Sequence, residues 1–220
     1  MATGRSTVFD NRSHAGAALG MKLSTLLPAG NYTVLGLLRG GVPIAYEVAK
    51  TLGADVGAVA VRKLGVPSKP ELAFGAIARY GSSSSRHINE PIYRRALQYF
   101  GQDELKSLER GTGADLLALA NTFKDYCPEL SGRDLLLCDD GIATGATMKA
   151  VLDLVRGLEP SSIMLAVPVA SLETVAELTP RANGICTLLT PDNFAAVGAF
   201  YKDFGQVSQD QVLEMLHSKR

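Results

Sequence analysis

The sequence predicts an α/β fold, a doubly wound and mainly parallel sheet with helices on both faces, and three observations predict it. Short apolar runs of strand length alternate along the chain with segments of helical period. Glycine-rich turns follow strands and open helices, as at Arg39-Gly40-Gly41 and over residues 141–145. No internal repeat or long linker divides the 220 residues, of which 46% are hydrophobic, so one substantial core can be buried. The expected organisation is a single domain over residues 1–220 with a small elaboration.

Residues 15–27 have the apolar spacing of an opening helix, and residues 34–38 form a buried strand. A helix over 42–52 follows, with Ile44, Val48 and Leu52 inward, and then a second buried strand over 56–61. Residues 72–80, flanked by Pro67, Pro70 and Gly81, are expected to form a small extended hairpin element, and the serine run 82–85 a mobile tip. Residues 90–123 read as mostly helical, interrupted near Gly101 and over 111–113, with a solvated face at Asp103, Glu104, Lys106, Glu109 and Arg110. Strands are expected over 135–138, 163–169 and 185–189. Helices are expected over 148–158, 172–178 and 209–217. Strands alternating with helices in this way imply crossover connections.

The chemistry concentrates in Leu135-Leu136-Leu137-Cys138-Asp139-Asp140-Gly141-Ile142-Ala143-Thr144-Gly145-Ala146-Thr147. An apolar strand ends in two adjacent carboxylates, and a Gly/Thr turn then opens a helix. At a helix start the backbone N–H groups are unpaired and the dipole is positive, glycines let the chain approach an anion, and Thr144 and Thr147 can donate hydroxyls. Two carboxylates just before such a nest suit vicinal hydroxyls or a hydrated divalent cation. No Gly-x-x-x-x-Gly-Lys-Ser/Thr occurs, which excludes a Walker P-loop.

This run resembles the phosphoribosyl pyrophosphate (PRPP) motif of the type I phosphoribosyltransferases. The resemblance implies that Asp139 and Asp140 hold the ribose hydroxyls and Mg2+, directly or through water, and that Ala143, Thr144, Gly145, Ala146 and Thr147 hold the 5′-phosphate. It assigns Leu38-Arg39-Gly40-Gly41 to pyrophosphate, with a cis peptide expected between Leu38 and Arg39. A longer segment, Arg62-Lys63-Leu64-Gly65-Val66-Pro67-Ser68-Lys69-Pro70-Glu71-Leu72-Ala73-Phe74-Gly75-Ala76, resembles a branch of uncharacterised stand-alone phosphoribosyltransferases. Phe9 through Gly16 and Phe194 through Phe204 agree with that branch. The segment reads as a loop in which Arg62 and Lys63 leave a buried strand to face pyrophosphate, where cations offset the charge of a departing group. Both could instead bind surface carboxylates. In the family a hood covers the acceptor, here expected from the N-terminal segment and residues 184–208.

Within that hood, Phe194 and Val197 are the candidate acceptor contacts, although Phe194, Phe200, Tyr201 and Phe204 can equally pack the closing helix. Enzymes acting on 6-oxopurines carry an acid where this chain has Ala143, which makes hypoxanthine or guanine a less expected acceptor. The implied reaction is displacement of pyrophosphate from C1 of Mg2+-bound PRPP by a nitrogen nucleophile, a nucleobase-like heterocycle. Glu71 is a conceivable base, but an ion pair with Arg62 or Lys69 is its expected role. A PRPP- or nucleotide-sensing regulator without turnover, and a PRPP hydrolase, use the same site and stay open.

A formal net charge of zero gives no electrostatic case for a nucleic-acid or membrane partner. No apolar run approaches the ~20 residues of a membrane span, and the start, Met1 to Ser6, lacks the apolar core of a secretory signal. A cytoplasmic protein is expected. Cys127, Cys138 and Cys186 have no metal or redox spacing, and His14, His87 and His217 form no ligand pattern. A homodimer is expected, because the family commonly pairs subunits beside the pyrophosphate loop and because Leu64, Val66 and Leu72 interleave with the cations of residues 62–69.

Overall fold

The computed structural model describes residues 8–218, so the Met1 to Ser6 start lies outside the described residues. The elements in chain order are α1 (Arg12–Leu26), β1 (Tyr32–Leu37), α2 (Gly41–Leu52), β2 (Asp55–Val66), β3 (Lys69–Tyr80), β4 (Ser83–Ile88) and α3 (Glu90–Thr122). They continue with β5 (Asp134–Cys138), α4 (Ala146–Arg156), β6 (Ser162–Val169), α5 (Leu172–Leu178), β7 (Gly184–Leu189) and α6 (Gln209–His217). The chain forms two compact units, described in turn.

The first unit takes the residues through Gly57, Pro128–Thr144 and those from Pro160 onward. Its centre is a parallel sheet in the order β1-β5-β6-β7. Parallel strands are buried on both faces and so read as continuous apolar runs, which is the pattern of Val34, Leu35, Leu136, Leu137 and Leu165, all at most 1% exposed. Helix α2 packs on β1 and β5, and α1 lies on α2 and reaches β6 and β7. Leu19 and Leu23 from α1 and Ile44 and Val48 from α2 are fully buried in one cluster with Val34, Leu136 and Val169, each contributing about 1.5–3 kcal/mol of transfer free energy. Asn11 caps α1 by accepting from the His14 N–H, and Ser208 and Gln211 form a reciprocal capping box on α6. Phe9 bridges Tyr201 in parallel, which ties the chain just before α1 to residues 200–203. On β1, Thr33 is fully buried, and its hydroxyl has no partner among the described residues.

The second unit takes Ala58–Cys127 and Gly145–Glu159. Here β2, β3 and β4 form an antiparallel meander, with α3 on β3 and α4 on β3 and β4. Phe74 of β3 is fully buried against Tyr93 of α3, ring centroids 5.7 Å apart. Ser85 donates to the Ala150 carbonyl, and His87 Nδ1 lies 3.0 Å from Asp153 Oδ2, so β4 is fastened to α4.

This unit corrects several expectations. The segment expected to leave a strand as a cationic loop is a hairpin, because β2 continues to Val66 and pairs with β3 across a two-residue turn, with register irregularities at Leu64/Gly65 and Gly65/Val66. Residues 82–85 are mostly strand rather than a mobile tip, because Ser83, Ser84 and Ser85 pair with Tyr80, Arg79 and Ala78. Helix α3 breaks at Gly101 (φ 77°, ψ 166°) as expected but runs through Gly111 and Gly113.

Candidate active site

In the first unit β1 and β5 are paired so that Gly36 stands opposite Cys138, and their carboxyl ends are level. Two loops therefore leave the sheet side by side, which is where α/β sheets collect ligands. The first loop contains the cis peptide Leu38–Arg39, at the expected bond. Arg39 is half-buried, its carbonyl accepts from the Val42 N–H, and α2 begins at Gly41. The second loop begins with Asp139 and Asp140.

The loops touch. A β-carbon added at Gly40 would collide with Asp140 Oδ2 and lie 2.9 Å from its Cγ; one added at Gly41 would collide with the Cys138 carbonyl and lie 3.0 Å from Asp139 Cα. Glycine is required here by this close approach, not by backbone angle, since Gly40 has ordinary helical φ/ψ of −65° and −28°. A single ligand can thus span the Arg39-Gly40-Gly41 backbone and the acid pair.

Asp140 is held from three sides. Arg12 Nε donates to Asp140 Oδ2 at 2.8 Å, the two side chains being only 12% and 15% exposed. The guanidinium is itself fixed, with Nη1 donating to the Gly205 carbonyl at 2.8 Å and Cζ 3.9 Å above the centre of the Phe204 ring. The Tyr201 hydroxyl donates to the Asp140 carbonyl, and the Tyr201 ring stacks on Phe204 at 4.9 Å. Burial, reinforced by Asp140, pushes the Tyr201 phenol far above its ordinary pKa, so it stays a neutral donor. The Asp140 N–H donates to Asp139 Oδ1 at 3.0 Å. Just before them, burial raises the Cys138 thiol well above the usual range, so this cysteine is no nucleophile.

The loop continues with Gly141, where an added β-carbon would lie 2.6 Å from Val197 Cγ1 and 2.9 Å from Val169 Cγ1. Ile142 bridges Ala170, and the Ala143 carbonyl accepts from the hydroxyls of Thr174 and Ser171, which clamps the turn to the end of β6. Thr144 is exposed. Gly145 adopts a left-handed conformation (φ 71°), and α4 opens at Ala146 without a side-chain cap, so the backbone N–H groups of its first turn, Thr147 included, suit an anion.

The sequence-predicted residues thus fall into groups. Leu38, Arg39, Gly40, Gly41, Asp139, Asp140 and Val197 meet in the first unit. Arg62 and Lys63 belong to the second, as neighbours on β2 opposite Ile77 and Ala76; Arg62 is half-buried and Lys63 exposed. Phe194 is half-buried, its ring tilted against Phe200 at 5.5 Å. Glu71 is exposed on β3. Among the described residues no three His, Cys, Asp or Glu side chains converge on a point. Sequence reasoning left Arg12 without a role and gave Tyr201 and Phe204 only as aromatics that can pack the closing helix. Arg12 stands 128 positions from Asp140, and the only signal for it is the likeness of residues 9–16 to the family branch.

Comparison with known proteins gives the family. The family described as phosphoribosyl transferase domain matches residues 10–200. A Mycobacterium tuberculosis H37Rv protein, provisionally named phosphoribosyl transferase Rv0571c, is 41% identical over 212 residues, 95% of this chain and 46% of its own length. The chain therefore spans about half the length of the curated relatives it matches. The crystal structure of TT1426 from Thermus thermophilus is 38% identical with a TM-score of 0.69, the match covering 96% of this chain and 98% of that one. A Neisseria gonorrhoeae hypothetical protein crystallised with bound ppGpp shares the fold alone, at 13% identity, TM-score 0.51 and coverage of 97% and 95%. Among the described residues no helix is long and apolar enough to cross a membrane. With a family match across most of its length, a parallel sheet that ends in an acid pair and a glycine turn packed against that pair, the chain belongs to the phosphoribosyl transferase domain family.

Proposed function

We propose that this chain transfers the 5-phosphoribosyl group of PRPP to a nitrogenous acceptor, a nucleobase-like heterocycle, with release of pyrophosphate. The contact between Gly40 and the Asp140 carboxylate carries the reading, because a backbone turn suited to an anion and two carboxylates suited to a diol then lie within the span of one ligand. The acceptor nitrogen would attack C1 as the C1–O bond breaks, the electron pair leaving with pyrophosphate and the nitrogen's proton passing to solvent.

Asp139 and Asp140 would hold the ribose hydroxyls and Mg2+, directly or through water. Two adjacent carboxylates suit that ion, which takes one or two carboxylates and fills its shell with water and phosphate oxygens. When bound, Mg2+ would screen the charge of the departing pyrophosphate. Arg39 and the N–H groups around Gly40 and Gly41 would hold the pyrophosphate, and the turn from Ala143 to Thr147 the 5′-phosphate. We assign the hood to the N-terminal segment and residues 184–208, with Val197, beside Gly141, and Phe194 as the acceptor contacts. Lys63 is proposed to serve the site of a neighbouring subunit in a homodimer, with Arg62 beside it.

The test is pyrophosphate release from PRPP and Mg2+ across a panel of free bases. Release with one base is expected. Release without any base would replace the transferase reading with a hydrolase, and tight binding without release would replace it with a sensor.

A further inference from the structure

The same contact that joins the two loops raises an electrostatic problem. The Asp140 carboxylate lies against Gly40, in the turn we assign to pyrophosphate. An unbalanced carboxylate at that distance would repel any phosphate group there, and a group this shielded from water is poorly screened. Arg12 answers the problem, with its Nε on Asp140 Oδ2 and itself 3.4 Å from where a Gly40 β-carbon would stand.

We infer that Arg12 is a positioning residue of the phosphate site: it cancels the charge of Asp140 and fixes that carboxylate where it packs against the Gly40 turn, so that Asp139 and Asp140 together present about one net negative charge to an anionic ligand. The inference rests on the PRPP reading for the identity of the ligand but not for its charge. Three features mark Arg12 as built for this task rather than as a surface cation. Its side chain is 12% exposed, Phe204 lies flat beneath the guanidinium, and the Gly205 carbonyl fixes its fork. Lysine could supply the charge but not the flat, forked seat. The arrangement also gives the N-terminal segment and residues 201–205 a purpose beyond packing, since Phe9, Tyr201 and Phe204 together form the platform that aims Arg12.

The test is a double-substitution cycle read by calorimetry with two probes, inorganic pyrophosphate without added metal, on which the recovery is read, and PRPP with Mg2+. Arg12→Met should weaken both ligands by about 10- to 100-fold, the effect of exposing one unit of like charge within a few ångströms. Arg12→Met with Asp140→Asn should bind pyrophosphate at least about tenfold more tightly than Arg12→Met alone. Arg12→Lys, which keeps the charge but loses the flat, forked seat, should fall between Arg12→Met and the parent. Melting curves separate this from a packing role, because a residue that only stabilised the fold would lower the melting temperature without regaining anion affinity on removal of the carboxylate. Unchanged affinity in a folded Arg12→Met protein, or a loss that Asp140→Asn does not recover, would overturn the inference. Should the parent protein bind pyrophosphate but not PRPP, the function reading falls while the cycle on pyrophosphate still decides the role of Arg12. Binding of neither would overturn both.

Discussion

Gly40→Ala isolates the contact on which the site depends. The backbone at Gly40 is helical, so alanine meets no conformational penalty. The whole effect comes from the added carbon, which would stand 2.9 Å from Asp140 Cγ and in collision with Oδ2, where ordinary van der Waals contact begins at 3.4 Å. The carboxylate oxygen must retreat by about 1 Å to reach ordinary contact, dragging its bond to Arg12 with it. Overpacking of this kind costs about 1–3 kcal/mol, and for a protein of this size each kcal/mol lowers the melting temperature by about 2–4 °C. Affinity should suffer more than stability, since displacing an aligned group by about 1 Å costs up to about 100-fold. Thermal melting and calorimetric titration with pyrophosphate and Mg2+ measure the two effects. Gly111→Ala is the control, because nothing lies within 4 Å of a β-carbon there; it should leave binding alone and stabilise α3 by about 0.5–1 kcal/mol. A Gly40→Ala protein that melts and binds like its parent would refute the claim that the acid pair and the Gly40 turn form one site.

Other consequences can be checked alongside. Arg39→Ala should weaken pyrophosphate and PRPP by about tenfold or more while leaving ribose 5-phosphate nearly unchanged, since the loss of one charge-assisted bond is confined to the leaving group; equal losses for all three ligands would contradict the assignment. Thr33→Val removes a buried hydroxyl that has no partner among the described residues and keeps its volume, so the melting temperature should rise by about 2–4 °C for roughly 1 kcal/mol, and a fall would mean that the hydroxyl is satisfied. If Lys63 serves a neighbouring subunit, mixing an inactive Lys63→Ala protein with an inactive Asp139→Asn/Asp140→Asn protein should restore one working site per heterodimer. A monomeric mass by light scattering would exclude that arrangement.

The parallel core was legible because its signals are local. Leu135 to Cys138 followed by the acid pair states a strand end and a ligand turn within one short run, and residues 172–178 and 209–217 show their helices by cap and period, with Ser171 and Ser208 at the caps. What escaped depends on residues distant in sequence or on propensity overridden by pairing. In β2 the alternation of buried Leu64 and Val66 with exposed Lys63 is a strand pattern, but Gly65 and Pro67 masked it as loop. The serines of β4 have little strand preference of their own and are held by pairing to β3 and by the Ser85 bond to α4. Gly111 and Gly113 stay helical because a continuous run of helix formers, with Leu116 and Leu119 buried, outweighs about 1 kcal/mol each. The Arg12–Asp140 pair has no signature in spacing at all; it exists only once Phe9 has paired with Tyr201 and brought the two ends of the first unit together. The cis bond at Arg39 was expected from family likeness and from nothing in the residues themselves.

The most direct measurement of the central claim is a calorimetric titration of PRPP with Mg2+ into the parent protein and into Asp139→Asn/Asp140→Asn, with ribose 5-phosphate as the second ligand and circular dichroism to establish that both proteins are folded. The account predicts saturable PRPP binding to the parent, tighter than that of ribose 5-phosphate, and its loss in the folded double variant. Unchanged PRPP affinity in that variant would contradict it.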